Sequence, residues 1–211
     1  MVAFIRDVSQ FDKLMHERYR EFCFQLELLH PYDVSSMIFP HSLYRRYNTA
    51  SDLFNFYNRQ GGLFDRIRHK LSWGNYFRRM THYDNNGEPV NQLGNIINSI
   101  NCADKLFKAA NTILIQFVGN ETIRKRGGPC LNYIAVQLNW NQAGRKCINL
   151  LCVYRNHDFL EKAYGNYWGL CNLLKFLARE TDSLDGSICC ISSHAYVDRN
   201  RRKLRAFLEE R

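Results

Sequence analysis

The sequence predicts an α+β or mixed α/β fold, in which helices precede and follow a sheet that contains a β-hairpin. Two apolar, β-rich runs, Leu131–Trp140 and Lys146–Tyr154, flank the turn residues Asn141–Arg145, a pattern that predicts a hairpin. A third apolar run, Thr112–Val118, precedes them and indicates a buried strand. Apolar residues at helical spacing occur on both sides of these runs, so the sheet is expected to have helices before and after it.

The first half of the chain is predicted to be mainly helical. Apolar residues recur at helical spacing from Ser9 to Leu29, with Ser9 as the N-cap and His30-Pro31 as the end. Tyr83–Pro89 is a turn cluster, and a second helix is predicted from Val90 to Ala110.

The second half adds a buried helix and one more strand. Tyr167–Arg179 has apolar residues at helical spacing and is predicted to be a buried helix. Ser187–Tyr196 is predicted to be a strand, and residues 199–211 are predicted to form a basic C-terminal helix. We expect a central mixed sheet that carries the two hairpin strands, with helix 167–179 buried against it.

Length and hydropathy predict one domain. The chain has 211 residues, 45% of them hydrophobic, which is enough for one core, so residues 1–211 are expected to form a single domain. It has no run of about 18 apolar residues, so no membrane-spanning helix is expected. The first residues lack the basic start and long apolar run of a signal peptide, which favours a cytoplasmic protein with no membrane partner.

The net charge predicts an anionic partner without identifying it. There are 29 Lys and Arg residues against 20 Asp and Glu residues, a formal charge of +9. This excess fits nucleic acid, a membrane surface or a small phosphorylated ligand.

The eight cysteines are predicted to be reduced thiols. They follow no disulfide-framework spacing and include no Cys-x-x-Cys pair, so neither disulfides nor a metal site is expected. Cys147, Cys152 and Cys171 stand in apolar surroundings and are predicted to be core residues. Cys130 differs because it follows Arg124–Pro129, whose three cations would lower the pKa of its thiol.

Several short motifs occur in a distinctive order and spacing. They are Gly127-Gly-Pro-Cys130, Arg155-Asn-His-Asp158, Tyr164-Gly-Asn166 and Ser193-His-Ala-Tyr196, with Leu71-Ser-Trp-Gly-Asn-Tyr-Phe-Arg-Arg-Met80 upstream. Asp158 precedes Asn166 by eight positions, and Asn166 precedes His194 by 28. Over residues 64–198 this arrangement resembles the thymidylate synthase and pyrimidine nucleotide hydroxymethylase superfamily. The resemblance implies a thymidylate-synthase-like fold.

The resemblance also implies a nucleophile and a phosphate site. Cys130 would add to C6 of a uracil ring, which turns the poorly nucleophilic C5 into an enolate carbon able to attack a one-carbon electrophile. Arg155 would bind the nucleotide phosphate, and Asn156 stands where the family has a phosphate-binding serine. The residues alone leave two alternatives open, a buried structural thiol for Cys130 and a surface arginine for Arg155.

The other implied residues recognise the base and the sugar. Asp158 would fix the base and Asn166 would read N3 and O4, which favours uracil because the cytosine-using relatives carry an acid there. His194 and Tyr196 would bond the sugar hydroxyl. Trp73 is expected to contact the substrate. The open alternatives are a turn-capping Asp158, an N-capping Asn166, and a plain polar strand pair for His194 and Tyr196.

The sequence departs from the family pattern at several places. The arginines that the partner subunit donates in the family fall on Ala110 and Asn111, although Lys105 and Lys108 are close. The family's His after the nucleophile and its Gln before the arginine are replaced here by Leu131 and Tyr154.

Two further departures concern proton transfer and folate. Residues 36–60, where the family's catalytic Glu is expected, contain no Glu, and their only acid is Asp52. The sequence ends at Arg211 in a charged helix, where the family continues to a segment that closes over the folate. The resemblance implies methylenetetrahydrofolate as a possible cofactor, but we expect the lid that would hold it to be missing.

These features predict a thymidylate-synthase-like enzyme acting on a uridine-type nucleotide or nucleoside. The reaction would be C5 methylation, C5 hydroxymethylation or a folate-independent reaction at C5. One alternative is a non-catalytic relative that binds a nucleotide or a partner protein. Another, less favoured, is a nucleic-acid binder or modifier that uses the basic tail and Arg124–Arg126. By resemblance the chain should form a homodimer packed through its sheets.

Overall fold

The computed structural model describes residues 1–7, 13–26, 31–47, 49–60, 75–103, 112–117, 128–197 and 200–209. In chain order, the elements within these ranges are β1 (Val2–Ile5), α1 (Lys13–Gln25), α2 (Pro31–Ile38), α3 (His41–Tyr44), α4 (Ala50–Arg59), α5 (Tyr76–Thr81), β2 (Tyr83–Asn85), β3 (Glu88–Val90), α6 (Gln92–Asn101), β4 (Thr112–Gln116), β5 (Leu131–Trp140), β6 (Lys146–Asp158), α7 (Ala163–Glu180), β7 (Leu184–Tyr196) and α8 (Arg201–Glu209).

A five-stranded mixed sheet organises the fold. Its order is β1-β7-β6-β5-β4, and β6 and β7 are parallel while the other neighbours are antiparallel. A parallel pair needs a long crossover, which α7 supplies between β6 and β7. A mixed sheet with helices around it confirms the predicted α+β or mixed α/β class.

One face of the sheet packs against α7. Alternate residues of β6 point to this face and are buried, and α7 buries its own apolar residues in the same core: Ile148, Leu150, Cys152, Tyr154, Leu170, Leu173, Leu174 and Leu177. Each fully buried side chain of this size contributes about 1.5–3 kcal/mol. The predicted burial of helix 167–179 against the sheet is therefore confirmed.

A glycine allows α2 to approach α7 closely. A Cβ atom at Gly169 would lie 2.7 Å from the Ser35 carbonyl oxygen and 2.9 Å from Ile38 Cβ, shorter than such contacts allow. The absence of a side chain at this position therefore lets the two helices pack backbone to backbone.

The opposite face of the sheet carries two uncharged rows of side chains. Following the strand register, one row is Phe4, Cys189, Leu151, Ala135 and Leu114, and the next is Val2, Ile191, Val153, Tyr133 and Gln116. Val2, Phe4 and Leu114 are 64%, 55% and 52% exposed. We call these ten residues the open sheet face.

Several predicted boundaries were wrong or incomplete. Val90 ends a short hairpin strand rather than starting a helix, because Asn91 caps α6 by accepting a hydrogen bond from the Gly94 N–H at 2.9 Å. Helix α6 ends at Asn101, and residues 104–110 of the predicted helix lie outside the described residues. The predicted N-cap Ser9 lies outside the described residues, and Pro31 begins α2.

The described cysteines are not paired in disulfides. Cys152 and Cys171 are buried as predicted, whereas Cys147 is only half-buried, so its assignment to the core was wrong. Of the helices in the described part of the chain, none is both long enough and apolar enough to cross a membrane.

Candidate active site

The candidate site lies where β5 begins and where β6 and β7 end. The Arg155 N–H donates to the Cys130 carbonyl at 2.9 Å, so the segment before β5 lies beside the end of β6. Across the parallel pair, Asn156 is in register with His194 and Asp158 with Tyr196. Strand pairing thus brings together residues that are distant in sequence, and we call this group, with Asn166 of α7, the strand-end site.

Cys130 is half-buried at the start of β5. The buried hydroxyl of Tyr76 accepts a hydrogen bond from the Leu131 N–H at 3.3 Å and interacts electrostatically with the Cys130 thiol. Burial, followed by the thiol, raises the pKa of Tyr76 to about 12. Tyr76 therefore keeps its proton at neutral pH and places a hydroxyl group next to Cys130.

Arg155 holds the loop that precedes Cys130. Its Nε donates to the Pro129 carbonyl at 3.1 Å and its Nη2 donates to the Gly128 carbonyl at 2.9 Å. Gly128 has a φ of 102°, a conformation that glycine adopts without strain. In this structure the predicted phosphate-binding arginine therefore fixes the backbone in front of the predicted nucleophile.

Asn156 connects Arg155 to His194. The hydrogen-bonding environment favours the amide orientation in which nitrogen donates to His194 Nδ1 and to the Arg155 carbonyl, both at 3.2 Å. Its oxygen then accepts from Arg155 Nη1 at 3.3 Å. The exposed His194 ring stacks on Tyr196, with centroids 5.3 Å apart. The predicted sugar-binding pair therefore lies beside the predicted phosphate-binding pair.

Asp158 caps the turn that leads into α7. Its Oδ1 accepts from the Leu160 and Glu161 N–H groups, both at 3.1 Å, and the residue is 8% exposed. This is the turn-capping alternative that the residues left open.

Asn166 lies in the first turn of α7 rather than at its N-cap, which is Lys162, so the N-cap alternative was wrong. Its side chain is 5% exposed, and its Nδ2 is 3.0 Å from Nε2 of His157. Nδ1 of the same ring is 2.9 Å from Ser192 Oγ. His157 is thus a buried link between α7 and β7 that the sequence patterns did not identify.

The His157 ring is enclosed by aromatic side chains. It stacks on Tyr154 with centroids 4.2 Å apart and an interplanar angle of 8°, and meets Phe159 and Tyr167 edge-on at 5.1 and 5.6 Å. Burial lowers the pKa of His157 to about 4, so the ring is neutral at physiological pH.

Two tyrosine hydroxyls beside His157 are buried without a hydrogen-bond partner among the residues that the structure describes. They belong to Tyr154, which is fully buried, and to Tyr167. A buried hydroxyl without a partner costs free energy, because it gives up its hydrogen bonds to water.

Replacing Tyr154 by phenylalanine is therefore expected to leave the free energy of unfolding unchanged or to raise it by up to about 1 kcal/mol. The matched change Tyr76→Phe should lower it by about 1–2 kcal/mol, because the Leu131 N–H loses its acceptor. Urea denaturation of both variants measures the difference. A loss above about 1 kcal/mol in Tyr154→Phe would mean that its hydroxyl has a partner beyond the described residues.

Some predicted site residues cannot be placed. Trp73, Lys105, Lys108 and the Arg124–Arg126 cluster lie outside the described residues. Within the described ranges, no group of three or more His, Cys, Asp or Glu side chains is arranged to hold a metal ion.

No protein-family model matches this chain, and no curated protein sequence matches it.

Proposed function

We propose that this protein is a thymidylate-synthase-like enzyme that modifies the pyrimidine ring of a uridine-type nucleotide or nucleoside, with Cys130 as the nucleophile. The observation that carries the proposal is the pairing of β5, β6 and β7, which brings Cys130, Arg155 and the Asn156–His194 pair to one end of the sheet. A nucleophile, a guanidinium and hydroxyl-binding side chains are the groups that addition to a nucleotide base needs.

The chemistry follows from the thiol. Cys130 releases its thiol proton to solvent, Sγ forms a bond to C6, and the C5–C6 π electrons move toward C5 and O4 as an enolate. C5 then takes a proton from solvent or attacks an electrophile. Loss of a proton from C5 returns the electrons, expels the thiolate and restores the ring. The hydroxyl of Tyr76, which keeps its proton at neutral pH, interacts electrostatically with the Cys130 thiol.

The two acids at the end of β6 and in the turn after it give no free carboxylate for a folate. The amidine edge of a pterin pairs best with a free carboxylate, whereas Asp158 and Glu161 are both engaged. Asp158 Oδ1 caps α7, and Glu161 Oε1 accepts from Asn200 Nδ2 at 3.2 Å. We therefore derive no step through folate and propose a folate-independent reaction at C5.

Exchange of the C5 hydrogen tests this proposal without any cofactor. In D2O, reversible addition of Cys130 should replace the C5 hydrogen of UMP, dUMP, uridine or deoxyuridine by deuterium, and proton NMR follows the loss of the H5 signal. Cys130→Ser should return the rate to the uncatalysed value, because the serine hydroxyl is a far weaker nucleophile at neutral pH. The 5-fluoro analogues should give a mass adduct on Cys130 at saturating concentration.

A second half-buried cysteine on the sheet supplies the matched control. Cys147→Ser changes the same atom near the start of β6, at the other end of the strand from Arg155, and should exchange H5 at the wild-type rate. If none of the four compounds exchanges with the wild-type protein and no 5-fluoro adduct forms, the enzymatic proposal is wrong.

One observation favours a non-catalytic, nucleotide-binding protein as the second candidate. Residues 36–60, where the resemblance places the catalytic Glu, contain no Glu. This candidate predicts that nucleotides bind, that H5 does not exchange, and that Cys130→Ser has the wild-type dissociation constant.

We also propose that two copies of the chain pair through the open sheet face. The two rows contain no charged residue on a chain of net charge +9, so they add no charge repulsion of their own between two copies. A two-fold axis through the open sheet face would place the two uncharged rows of one copy against the same two rows of the other copy, as in a closed isologous dimer. Exposed apolar surface of this kind is typical of a protein–protein contact.

A further inference from the structure

His157 is the only ring that links α7 to β7 through hydrogen bonds at both nitrogens among the described residues. It is 2% exposed and its plane is fixed by the stack on Tyr154. The ring therefore has one orientation, and any side chain bonded to it is oriented as well.

The orientation of the Asn166 amide in the structure implies the position of the proton on this ring. The nitrogen of the Asn166 amide can only donate, so Nε2 of His157 is the acceptor of that bond. A neutral imidazole carries one N–H, which must then be at Nδ1 and donate to Ser192 Oγ. Rotation of the Asn166 amide by 180° would place its oxygen against Nε2 and would require the other tautomer.

The orientation of the Asn166 amide is thereby coupled to the tautomer of His157, and the orientation in the structure goes with the proton on Nδ1. The amide Nδ2 is tied to His157, while the amide Oδ1 has no hydrogen-bond partner among the residues that the structure describes. One N–H and the carbonyl oxygen remain to meet a ligand. Uracil presents an N3–H donor beside the O4 acceptor, whereas cytosine presents an N3 acceptor beside an N4 donor. The two bases therefore need opposite orientations of the Asn166 amide, with its oxygen and nitrogen exchanged.

We propose that His157 is a positioning residue that fixes the Asn166 amide and thereby selects uracil over cytosine at the strand-end site. This inference rests on the proposed function, because it assumes that a pyrimidine binds beside Asn166. His157 acts through Asn166 and does not itself need to touch the base. The side chain behind the amide, rather than the amide alone, then decides which base is accepted.

The first test needs no ligand. Nitrogen-15 NMR of the histidine rings should show His157 protonated at Nδ1 and unprotonated at Nε2 in the wild-type protein. In Asn166→Ala the bond to Nε2 is lost, and the His157 signals should move toward a mixture of tautomers. A wild-type His157 protonated at Nε2 would overturn the inference.

The second test compares dissociation constants for UMP and dUMP with those for CMP and dCMP. The wild-type protein should prefer uracil by at least about tenfold, which is the value of one well-placed hydrogen bond. His157→Phe keeps an aromatic ring on Tyr154 but removes the acceptor, and should reduce the preference to about one. His157→Gln restores an acceptor oxygen and should recover most of the preference. Thermal melting checks that the variants are folded.

The outcomes separate the two proposals. If the wild-type protein binds none of the four nucleotides, the proposed function fails, and base selection by His157 fails with it. If uracil nucleotides bind and His157→Phe weakens both bases equally, the preference is unchanged and only the role of His157 is refuted. If His157→Gln behaves like His157→Phe, hydrogen bonding to Asn166 is not the cause.

Discussion

Lowering the pH from 6.5 to 4 is expected to reduce the free energy of unfolding by about 3 kcal/mol through His157 alone. The folded-state pKa is lowered by burial to about 4, while the unfolded chain titrates near 6.5. Between these values the unfolded state binds a proton that the folded state does not, so stability falls as the pH falls. Above pH 6.5 both states are neutral at this residue and the loss is absent.

The environment of His157 supports the direction of this effect. The side chains that face the ring are Tyr154 and Phe159 from β6 and the turn after it, Asn166 and Tyr167 from α7, and Ser192 from β7. None of them carries a charge at neutral pH. The neighbouring Asp158 directs its carboxylate to the N–H groups that begin the turn into α7. A protonated imidazole would therefore be poorly stabilised.

Urea denaturation at a series of pH values measures this dependence. In His157→Phe the free energy of unfolding should fall less steeply between pH 6.5 and 4, by up to about 1.4 kcal/mol per pH unit. His41→Gln is the control. Partial desolvation, together with Arg45 and Lys175, lowers the pKa of His41 as well, but this residue keeps much of its surface in contact with water. The His41 variant should retain the steep fall in the free energy of unfolding between pH 6.5 and 4. An unchanged curve in His157→Phe would contradict the prediction.

Replacing Leu114 by glutamate is expected to convert a dimer into a monomer. Leu114 lies on the open sheet face and is 52% exposed in the single chain, so a carboxylate there stays in water and the fold is retained. In the proposed dimer the same carboxylate would be buried against apolar side chains, twice by symmetry. Burying an unpaired charge costs several kcal/mol, so the dimer dissociation constant should rise by about 1000-fold or more.

Sedimentation velocity over a range of protein concentrations measures this change. Phe24→Glu is a matched control, because Phe24 is 86% exposed on α1, away from the sheet. It also replaces an exposed apolar residue by glutamate and should leave the dimer intact. A monomeric wild-type protein at high concentration would refute the dimer. Dissociation of the Phe24 variant alone would place the interface on α1 instead.

The sheet was the most predictable part of the fold. Continuous apolar, β-rich runs bounded by turn residues predicted β5 with its observed bounds, and the hairpin at Asn141–Arg145 was correct. β6 continues beyond Tyr154 to Asp158, although these last residues are polar. They are in strand conformation because they pair with β7, which is a long-range contact that local hydropathy does not record.

The candidate site was less predictable, because its contacts join distant parts of the chain. Motif spacing grouped Cys130, Arg155 and His194, and the strand pairing places them at the same end of the sheet. His157 stood within the quoted motif but received no role. Its partners, Asn166 and Ser192, come from α7 and β7, nine and 35 positions away. Only the register of β6 and β7 brings them together.

The sheet order also has a consequence for synthesis. β1 is made long before its hydrogen-bonding partner, β7, which is the last strand among the described residues. At a translation rate of about 5–20 residues per second, β1 leaves the ribosome roughly 10–40 s before β7 is complete. During that interval the apolar edge of Val2–Ile5 has no native strand to pair with. The nascent chain therefore has a period in which a chaperone that covers its first residues would raise the yield of folded protein.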